Sequence, residues 1–253
     1  MAGHSKWHNI KHRKAAVDKK RGKMWSKCSR AIMAAARQGG GDPDSNIILR
    51  YAIDEARYYN MPRDTIERLA KKGAGATGGE NYENVRYEGY GPGGAAFIID
   101  ALTDNRTRTA GDVRLAFSEA GGNLGASGCV GFLFQSRGLI RVPASVPEER
   151  VMEAAIAAGA EDVEGPEGEG DDSVWTVATT PVTFLNVKKA LESAKIPVAS
   201  GEITMIPSTR VPASGGDAKK LLELVDALED LDDVQKVHAN FDVDEKTLAA
   251  LSA

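Results

Sequence analysis

The 253-residue sequence predicts a multidomain α+β protein: an N-terminal three-helix domain followed by two α/β domains, the last a ferredoxin-like β-α-β-β-α-β unit inserted in the middle one. Apolar residues recur with helical period as far as residue 72, a glycine-rich segment follows at residues 73–79, and strand-like segments then alternate with helices. The predicted domains are residues 1–76, residues 80–137 with 207–253, and residues 138–206.

The first helix is predicted over residues 17–37, where one set of apolar side chains falls within an arc of roughly 120°. Arg21 fits this face badly, so the regular helix is expected to begin only after Gly22. The apolar set consists of Val17, Met24, Trp25, Cys28, Ala31, Ile32 and Ala35.

Two further helices are predicted before the glycine-rich segment. The glycines at 39–41 interrupt the chain, after which Asp42 is a candidate N-cap and Pro43 suits a first helical turn. That helix is expected to run towards Asn60, and the next over residues 62–72. Short amphipathic helices joined by tight breaks form a small bundle.

The middle domain is predicted to need two separate parts of the sequence. Residues 80–135 offer strands at 85–88, 95–101 and 129–134 but a single helix, at 109–120. A helix at 217–231 and a strand at 234–239 cannot close a core alone, so they are assigned to this domain. The β-α-β-β-α-β order of residues 139–206 makes that segment the inserted unit.

Charge is distributed very unevenly along the chain. The first 37 residues contain eleven Lys or Arg and one acid, Asp18, which gives +10, whereas the other 216 residues carry 21 bases and 35 acids, which gives −14. A basic segment on an acidic body is suited to a polyanion that approaches from one side, so nucleic acid is the predicted partner.

The first helix also predicts a basic stripe opposite its apolar face. Five cations fall within an arc of roughly 80°, and a stripe of one sign gains no support from Glu partners at i,i+4. A solvated surface is the alternative. The stripe consists of Lys19, Lys23, Lys27, Arg30 and Arg37.

Other sequence features favour neither catalysis nor a cofactor. The run at 89–94 matches a dinucleotide-binding spacing, but a β-branched segment follows it where a helix should begin, so a turn between strands is predicted. His4, His8 and His12 have no Cys or carboxylate nearby in sequence, so no metal site is predicted. The acidic runs at 229–233 are interpreted as solvated surface, and we expect no enzyme, no cofactor and no small-molecule substrate.

Composition also bears on location. No stretch approaches the ~20 apolar residues that span a bilayer, and no apolar signal core follows the basic start. We therefore expect a cytoplasmic protein with no membrane association, in which Cys28 and Cys129 are free thiols.

Several motifs closely resemble those of the YebC/PmpR family. They include residues 1–7 and 9–14, the Gly-Gly-Gly-Asp-Pro run at 39–43 and the stretch at 87–94. Further matches lie at 104–109, 121–125, 205–209 and 228–235. His8 departs from the family, which commonly has a small residue there.

The resemblance implies a non-enzymatic cytoplasmic regulator of gene expression. Some family members are described as transcriptional regulators that bind promoter DNA, and others act on translation at the ribosome, where proline-rich stretches are the suspected difficulty. The lysine-rich stripe has a phosphate-binding rather than a base-reading character, so ribosomal RNA is an open alternative to DNA. A third possibility is an interaction module whose acidic domains bind protein partners.

Nucleic-acid contacts are predicted for the basic and aromatic residues of the N-terminal segment and the stripe. They are Lys6, Trp7, Lys11, His12, Arg13, Lys14, Lys19, Lys23, Lys27, Arg30 and Arg37.

We predict that binding is predominantly electrostatic. About six neutralised phosphates would give a log–log dependence of affinity on salt with a slope of about −5 on duplex DNA and about −4 on single strands. Fluorescence anisotropy across a salt series measures this slope. An affinity that does not change with salt would contradict the prediction.

Overall fold

The computed structural model describes residues 17–75, 81–168, 170, 173–243 and 247, with the side chains of residues 17–21 excepted. The described chain separates into two compact units. One is Gln135–Ile206, and the other takes in the residues up to Phe134 and those from Pro207. Within these residues, no helix is both long and apolar enough to cross a bilayer.

Residues 17–75 contain three helices, α1 (Val17–Gly39), α2 (Ile47–Tyr58) and α3 (Arg63–Ala74). Their apolar faces meet in one core, so the predicted apolar face of α1 is confirmed from Trp25 onwards. The helix already includes residues 17–22, so the expectation of a start after Gly22 was wrong. The buried core residues include Cys28, Ile32 and Ala35 of α1, Leu49, Ala52, Ile53 and Ala56 of α2, and Ile66 and Ala70 of α3.

Asn46, and not Asp42, caps α2. The Asn46 side chain accepts a hydrogen bond from the backbone N–H of Leu49 at 3.1 Å and donates to the carbonyls of Ala35 and Gly40, each at 2.8 Å. Asp42 instead accepts from the backbone N–H of Asp44 in the preceding turn. Because Asn46 bridges the end of α1 and the start of α2, a tertiary contact determines the helix start.

The middle sheet combines strands from distant parts of the sequence. Its described strands are β1 (Glu83–Tyr90), β2 (Ala96–Thr103), β3 (Asn123–Leu124) and β9 (Val234–Ala239), in the order β3-β1-β2-β9 with antiparallel neighbours. A 3-10 turn at Pro92–Gly94 joins β1 to β2, with Gly93 and Gly94 at positive φ. The glycine-rich run at 89–94 is therefore a turn between strands, as predicted.

Two helices cover one face of this sheet, α4 (Arg106–Glu119) and α7 (Gly215–Asp230). Phe97 and Ile99 of β2 pack with Phe117 of α4 and with Leu221 and Leu224 of α7 in a single core. A short parallel pair, β8 (Val211–Ala213) with β10 (Phe241–Val243), contributes to the same core. The chain that returns after residue 207 thus completes the middle domain.

The unit Gln135–Ile206 has the β-α-β-β-α-β order. Its elements are β4 (Phe134–Pro143), α5 (Glu148–Ala157), β5 (Asp162–Glu167), β6 (Val174–Thr179), α6 (Phe184–Ser193) and β7 (Ser200–Pro207). The described strands are ordered β5-β6-β4-β7, so the first strand lies between the third and the fourth. The fully buried side chains of this unit come from both its strands and its helices. They include Ile140 of β4, Val177 of β6, Val151 of α5, and Val187 and Leu191 of α6.

These observations confirm the predicted fold class, including the ferredoxin-like insertion. The strand predicted at 129–134 was wrong, because a 3-10 turn occupies Gly131–Leu133 and β4 begins at Phe134. The short strands β3, β8 and β10 were not predicted, since two or three residues are too few to show an alternating pattern.

The predicted domain boundaries can be tested with fragments. Residues 135–206 should unfold cooperatively on heating, because their strands and helices bury a core of their own. Residues 81–134 should not, since they lack α7 and β9. Circular dichroism during thermal unfolding measures both, and a cooperative transition of 81–134 alone would contradict the discontinuous middle domain.

Candidate nucleic-acid interface

Most of the predicted nucleic-acid contacts precede the described side chains. Lys6, Trp7, Lys11, His12, Arg13 and Lys14 lie outside the described residues. Lys19 lies in α1, but its side chain is outside the described part. Arg37 is exposed in the last turn of α1. Contact of all these residues with nucleic acid stays a prediction.

Lys23, Lys27 and Arg30 form one cluster on α1. This cluster contacts residues 229–233 at the end of α7, a segment that we call the acidic turn. Lys23 Nζ lies 2.9 Å from Asp230 Oδ1 and also donates to the Asp230 carbonyl. Lys27 Nζ donates to the Glu229 carbonyl at 2.7 Å.

Arg30 completes this contact further along α1. Its Nη1 lies 3.3 Å from Asp233 Oδ1, and its Nη2 donates to the Asp232 carbonyl. The last carbonyls of a helix carry partial negative charge and lack helical partners, so cations stabilise this end. The three cations therefore satisfy both side-chain and backbone oxygens.

Lys27 is buried, with only 4% of its surface exposed. Its pKa is lowered to about 8, chiefly by burial and then by the positive charges of Lys23 and Arg30. The alternative of a solvated surface was therefore wrong at Lys27, and its burial could not be predicted because the helical pattern of α1 contains no information about α7.

Asp233 organises the acidic turn from within the middle domain. Its Oδ2 accepts hydrogen bonds from Arg108 Nη2 at 2.6 Å, Thr109 Oγ1 at 2.7 Å and Thr103 Oγ1 at 3.1 Å. Asp233 is 7% exposed, so the interpretation of this run as wholly solvated surface was wrong. The other carboxylate oxygen, Oδ1, accepts a hydrogen bond from Arg30. Asp233 therefore links α1 to β2 and α4.

A sequence signal for this cluster was present but incomplete. The motifs at 104–109 and 228–235 were both recognised as family features, and the structure brings Arg108 and Thr109 of the first onto Asp233 of the second. Separated by more than a hundred residues, the two motifs carried no indication that they meet.

Other ionisable groups in this unit are engaged structurally. Both carboxylate oxygens of buried Glu88 accept backbone N–H bonds, from Gly128, Val130 and Gly131, at 2.8 to 2.9 Å. Burial raises the pKa of Glu88, but these bonds outweigh it and lower the pKa on balance. A carboxylate held in this way fixes the loop and is poorly placed to exchange protons with a substrate.

Asp100 forms a second structural cluster. Its oxygens lie 2.7 Å from Arg86 Nε and 3.4 Å from His238 Nε2. Burial raises the pKa of Asp100, but hydrogen bonds from His238 and Arg86 outweigh it and lower the pKa to about 2. The cluster joins β1, β2 and β9 across the sheet.

Metal and thiol chemistry have little support in the described part of the chain. Among its His, Cys, Asp and Glu side chains, no group of three or more is arranged to hold a metal ion. Cys28 is buried and Cys129 partly buried, and both are free thiols. Burial raises the pKa of Cys28 to about 12, which disfavours the reactive thiolate.

Two family models match the chain over nearly its whole length. The TACO1/YebC protein N-terminal domain matches residues 5–76, and the TACO1/YebC second and third domain matches residues 82–241. The chain belongs to the TACO1/YebC family. Similar proteins that match the chain over almost its whole length are named probable transcriptional regulatory proteins.

A probable transcriptional regulatory protein of Persephonella marina is 51% identical and covers all of both chains. One of Natranaerobius thermophilus is 50% identical and covers 98% of this chain and 99% of its own. The crystal structure of a conserved hypothetical protein of Aquifex aeolicus has 48% identity and a TM-score of 0.80, and covers 92% of this chain and 94% of its own.

Replacing Asp233 tests the buried cluster in this TACO1/YebC chain. Burial raises the pKa of Asp233, but hydrogen bonds from Arg108, Thr109 and Thr103 lower it on balance. Asp233→Asn should lower the free energy of unfolding at pH 7 by about 2 kcal/mol, because a buried charge-assisted network loses its charge. Chemical denaturation measures the difference.

The pH dependence follows from the lowered folded-state pKa. The contribution of the Asp233 carboxylate is fully present above the unfolded-state pKa of about 3.9 and is lost as the pH falls through the folded-state value. The difference between Asp233→Asn and the parent should therefore shrink below about pH 4. Asp226→Asn, at an exposed position of α7, is the control, and an equal loss in both variants would contradict the role of Asp233.

Proposed function

We propose that this protein is a non-enzymatic regulator of gene expression that binds nucleic acid, with promoter DNA as its target. The observation that carries the proposal is the charge of +10 on residues 1–37, set against −14 on the rest of the chain. The names of its relatives as probable transcriptional regulatory proteins support a regulatory role.

The chemistry of the described cations is consistent with this proposal. Lys23, Lys27 and Arg30 bind carboxylate and carbonyl oxygens of the acidic turn, and phosphate oxygens require the same donors. The proposed first contacts are the basic residues from Lys6 to Lys14, together with Lys19 and Arg37. Phosphate contacts of this kind would provide affinity and orientation, whereas base contacts would provide specificity.

The non-enzymatic part of the proposal rests on the hydrogen bonds that already engage the buried and partly buried carboxylates. Glu88 is bound by backbone N–H groups, and Asp100 by Arg86 and His238. General acid–base catalysis needs a group that can reach a substrate proton with a suitable pKa. These carboxylates have lowered pKa values and oxygens that are already hydrogen-bonded.

Ribosomal RNA is the second candidate target, and one observation favours it. The predicted contacts are rich in lysine and include Trp7, whose ring can stack on an unpaired base. A promoter-binding protein needs discrimination between sites, typically ~10³-fold or more, which a phosphate-binding surface does not supply by itself.

Trp7 and Arg13 distinguish the two targets. If unpaired RNA is bound, Trp7→Ala should lower the affinity for structured RNA about tenfold, the equivalent of ~1.4 kcal/mol, because a stacking contact is lost. Its effect on fully paired DNA should be smaller. Arg13→Ala, a phosphate contact, should weaken both equally. Anisotropy titrations with labelled duplex DNA and folded RNA provide the comparison.

The opposite pattern would establish the DNA target. Duplex DNA of one sequence would then be bound ~10³-fold more tightly than random duplex, and Trp7→Ala would leave RNA binding unchanged. If the protein bound neither nucleic acid, the proposed function would be wrong.

A further inference from the structure

The contact between α1 and the acidic turn uses the cations that were predicted to bind nucleic acid. Lys23, Lys27 and Arg30 lie at i, i+4 and i+7 on one side of α1. All three donate to oxygens of residues 229–233, two of them through ion pairs. With their charge used inside the molecule, they are not available to a phosphate in this arrangement.

The acidic turn resembles a nucleic-acid backbone in its chemistry. Four of its five residues are acidic: Glu229, Asp230, Asp232 and Asp233. It also presents carbonyl oxygens at the negative end of α7. A row of anionic and partly negative oxygens is what a lysine stripe meets on phosphates, so the two partners would compete for the same donors.

The half of the contact that belongs to the middle domain is formed independently of α1. Asp233 is held by Thr103, Thr109 and Arg108, all of which belong to β2 or α4. Asp230 and Asp232, by contrast, are exposed side chains. The acidic turn would therefore keep its shape when α1 leaves it.

Two features weaken the contact between α1 and the acidic turn. The ion pair of Lys23 with Asp230 is partly solvated, with side-chain exposures of 31% and 78%, and such pairs contribute little. Lys27 is buried against a neutral carbonyl, between two other cations that oppose its charge more strongly than the carboxylates of Asp232 and Asp230 favour it. A polyanion that lies against the three cations would compensate this crowded positive charge more fully than one carbonyl and two exposed carboxylates do.

We propose that the acidic turn is an internal competitor for nucleic acid, which covers Lys23, Lys27 and Arg30 in the free protein and must be displaced before they bind phosphates. This inference rests on the proposed function, whose nucleic-acid contacts it divides into two groups. Residues 6–19 would make the first encounter, and the covered cations would join after α1 leaves the acidic turn. The affinity of the free protein is then its intrinsic affinity multiplied by the fraction of molecules in which the contact is open.

The test is a pair of variants with equal change in charge. Asp230→Lys with Asp232→Lys places cations opposite Lys23 and Arg30 and should open the contact. Glu223→Lys with Asp226→Lys is the control, at exposed positions earlier on α7. In both variants two acids are replaced by two lysines, so the net charge rises by four in each. Any general increase in attraction for nucleic acid therefore appears in both of them.

Affinities for labelled duplex DNA and for folded RNA are measured by anisotropy at one fixed salt concentration. If the contact is closed in about nine molecules of ten, opening it should raise affinity by about tenfold over the control variant. The reactivity of Lys27 towards an acetylating N-hydroxysuccinimide ester, followed by mass spectrometry, reports opening in the absence of nucleic acid. It should rise in the Asp230→Lys, Asp232→Lys variant alone.

Equal affinities of the two variants would overturn the inference in either of two ways. If Lys27 became reactive, the contact opens but does not compete with nucleic acid. If Lys27 stayed protected, the contact is a permanent part of the fold. Failure of the proposed function is a separate outcome, in which the parent and both variants all fail to bind DNA and RNA.

Discussion

The carboxylate of Asp233 connects three parts of the protein that are far apart in the sequence. It accepts from Thr103 at the end of β2 and from Arg108 and Thr109 of α4, and its second oxygen reaches Arg30 of α1. A buried carboxylate is tolerated only where several donors compensate its charge. The position of Asp233, between the end of α7 and the start of β9, therefore fixes both the return of the chain into the middle sheet and the place where the basic helix meets it.

Helix α1 has two faces with different chemical roles. One face supplies Cys28, Ile32 and Ala35 to the core of the helical bundle, where burial of apolar surface stabilises it. The other face carries cations that meet the acidic turn through hydrogen bonds, one partly solvated ion pair of Lys23 with Asp230, and one largely buried pair of Arg30 with Asp233. The apolar face is committed to the fold, whereas the basic face makes polar contacts that another anion can replace. This division allows one helix to contribute to stability and, in the proposed function, to nucleic-acid binding.

Local sequence patterns predicted the elements well and their ends less well. The apolar, β-branched run of β2 and the amphipathic period of α7 identified these elements from the sequence, because a strand buried on both faces is apolar throughout and a half-buried helix repeats its apolar residues at a fixed interval. The start of α2 was misplaced at Asp42 because the capping residue, Asn46, is chosen by its bonds to the end of α1. The turn at Gly131–Leu133 was taken for a strand because its apolar run is followed directly by β4, and Glu88 holds Val130 and Gly131 in a loop.

The sequence by itself determined the fold class, the discontinuous middle domain and the separation of positive from negative charge, because these depend on composition and on periods that are read along the chain. It also identified the basic stripe of α1, since a helix places residues three and four apart on one side. Only the tertiary structure decided which anion the stripe meets within the protein. Lys27 and Asp233 are more than two hundred residues apart, and their burial in one cluster depends on α7 and β9 completing the middle domain. A charge pattern gives the sign of a partner, whereas its identity depends on which surfaces the fold brings together.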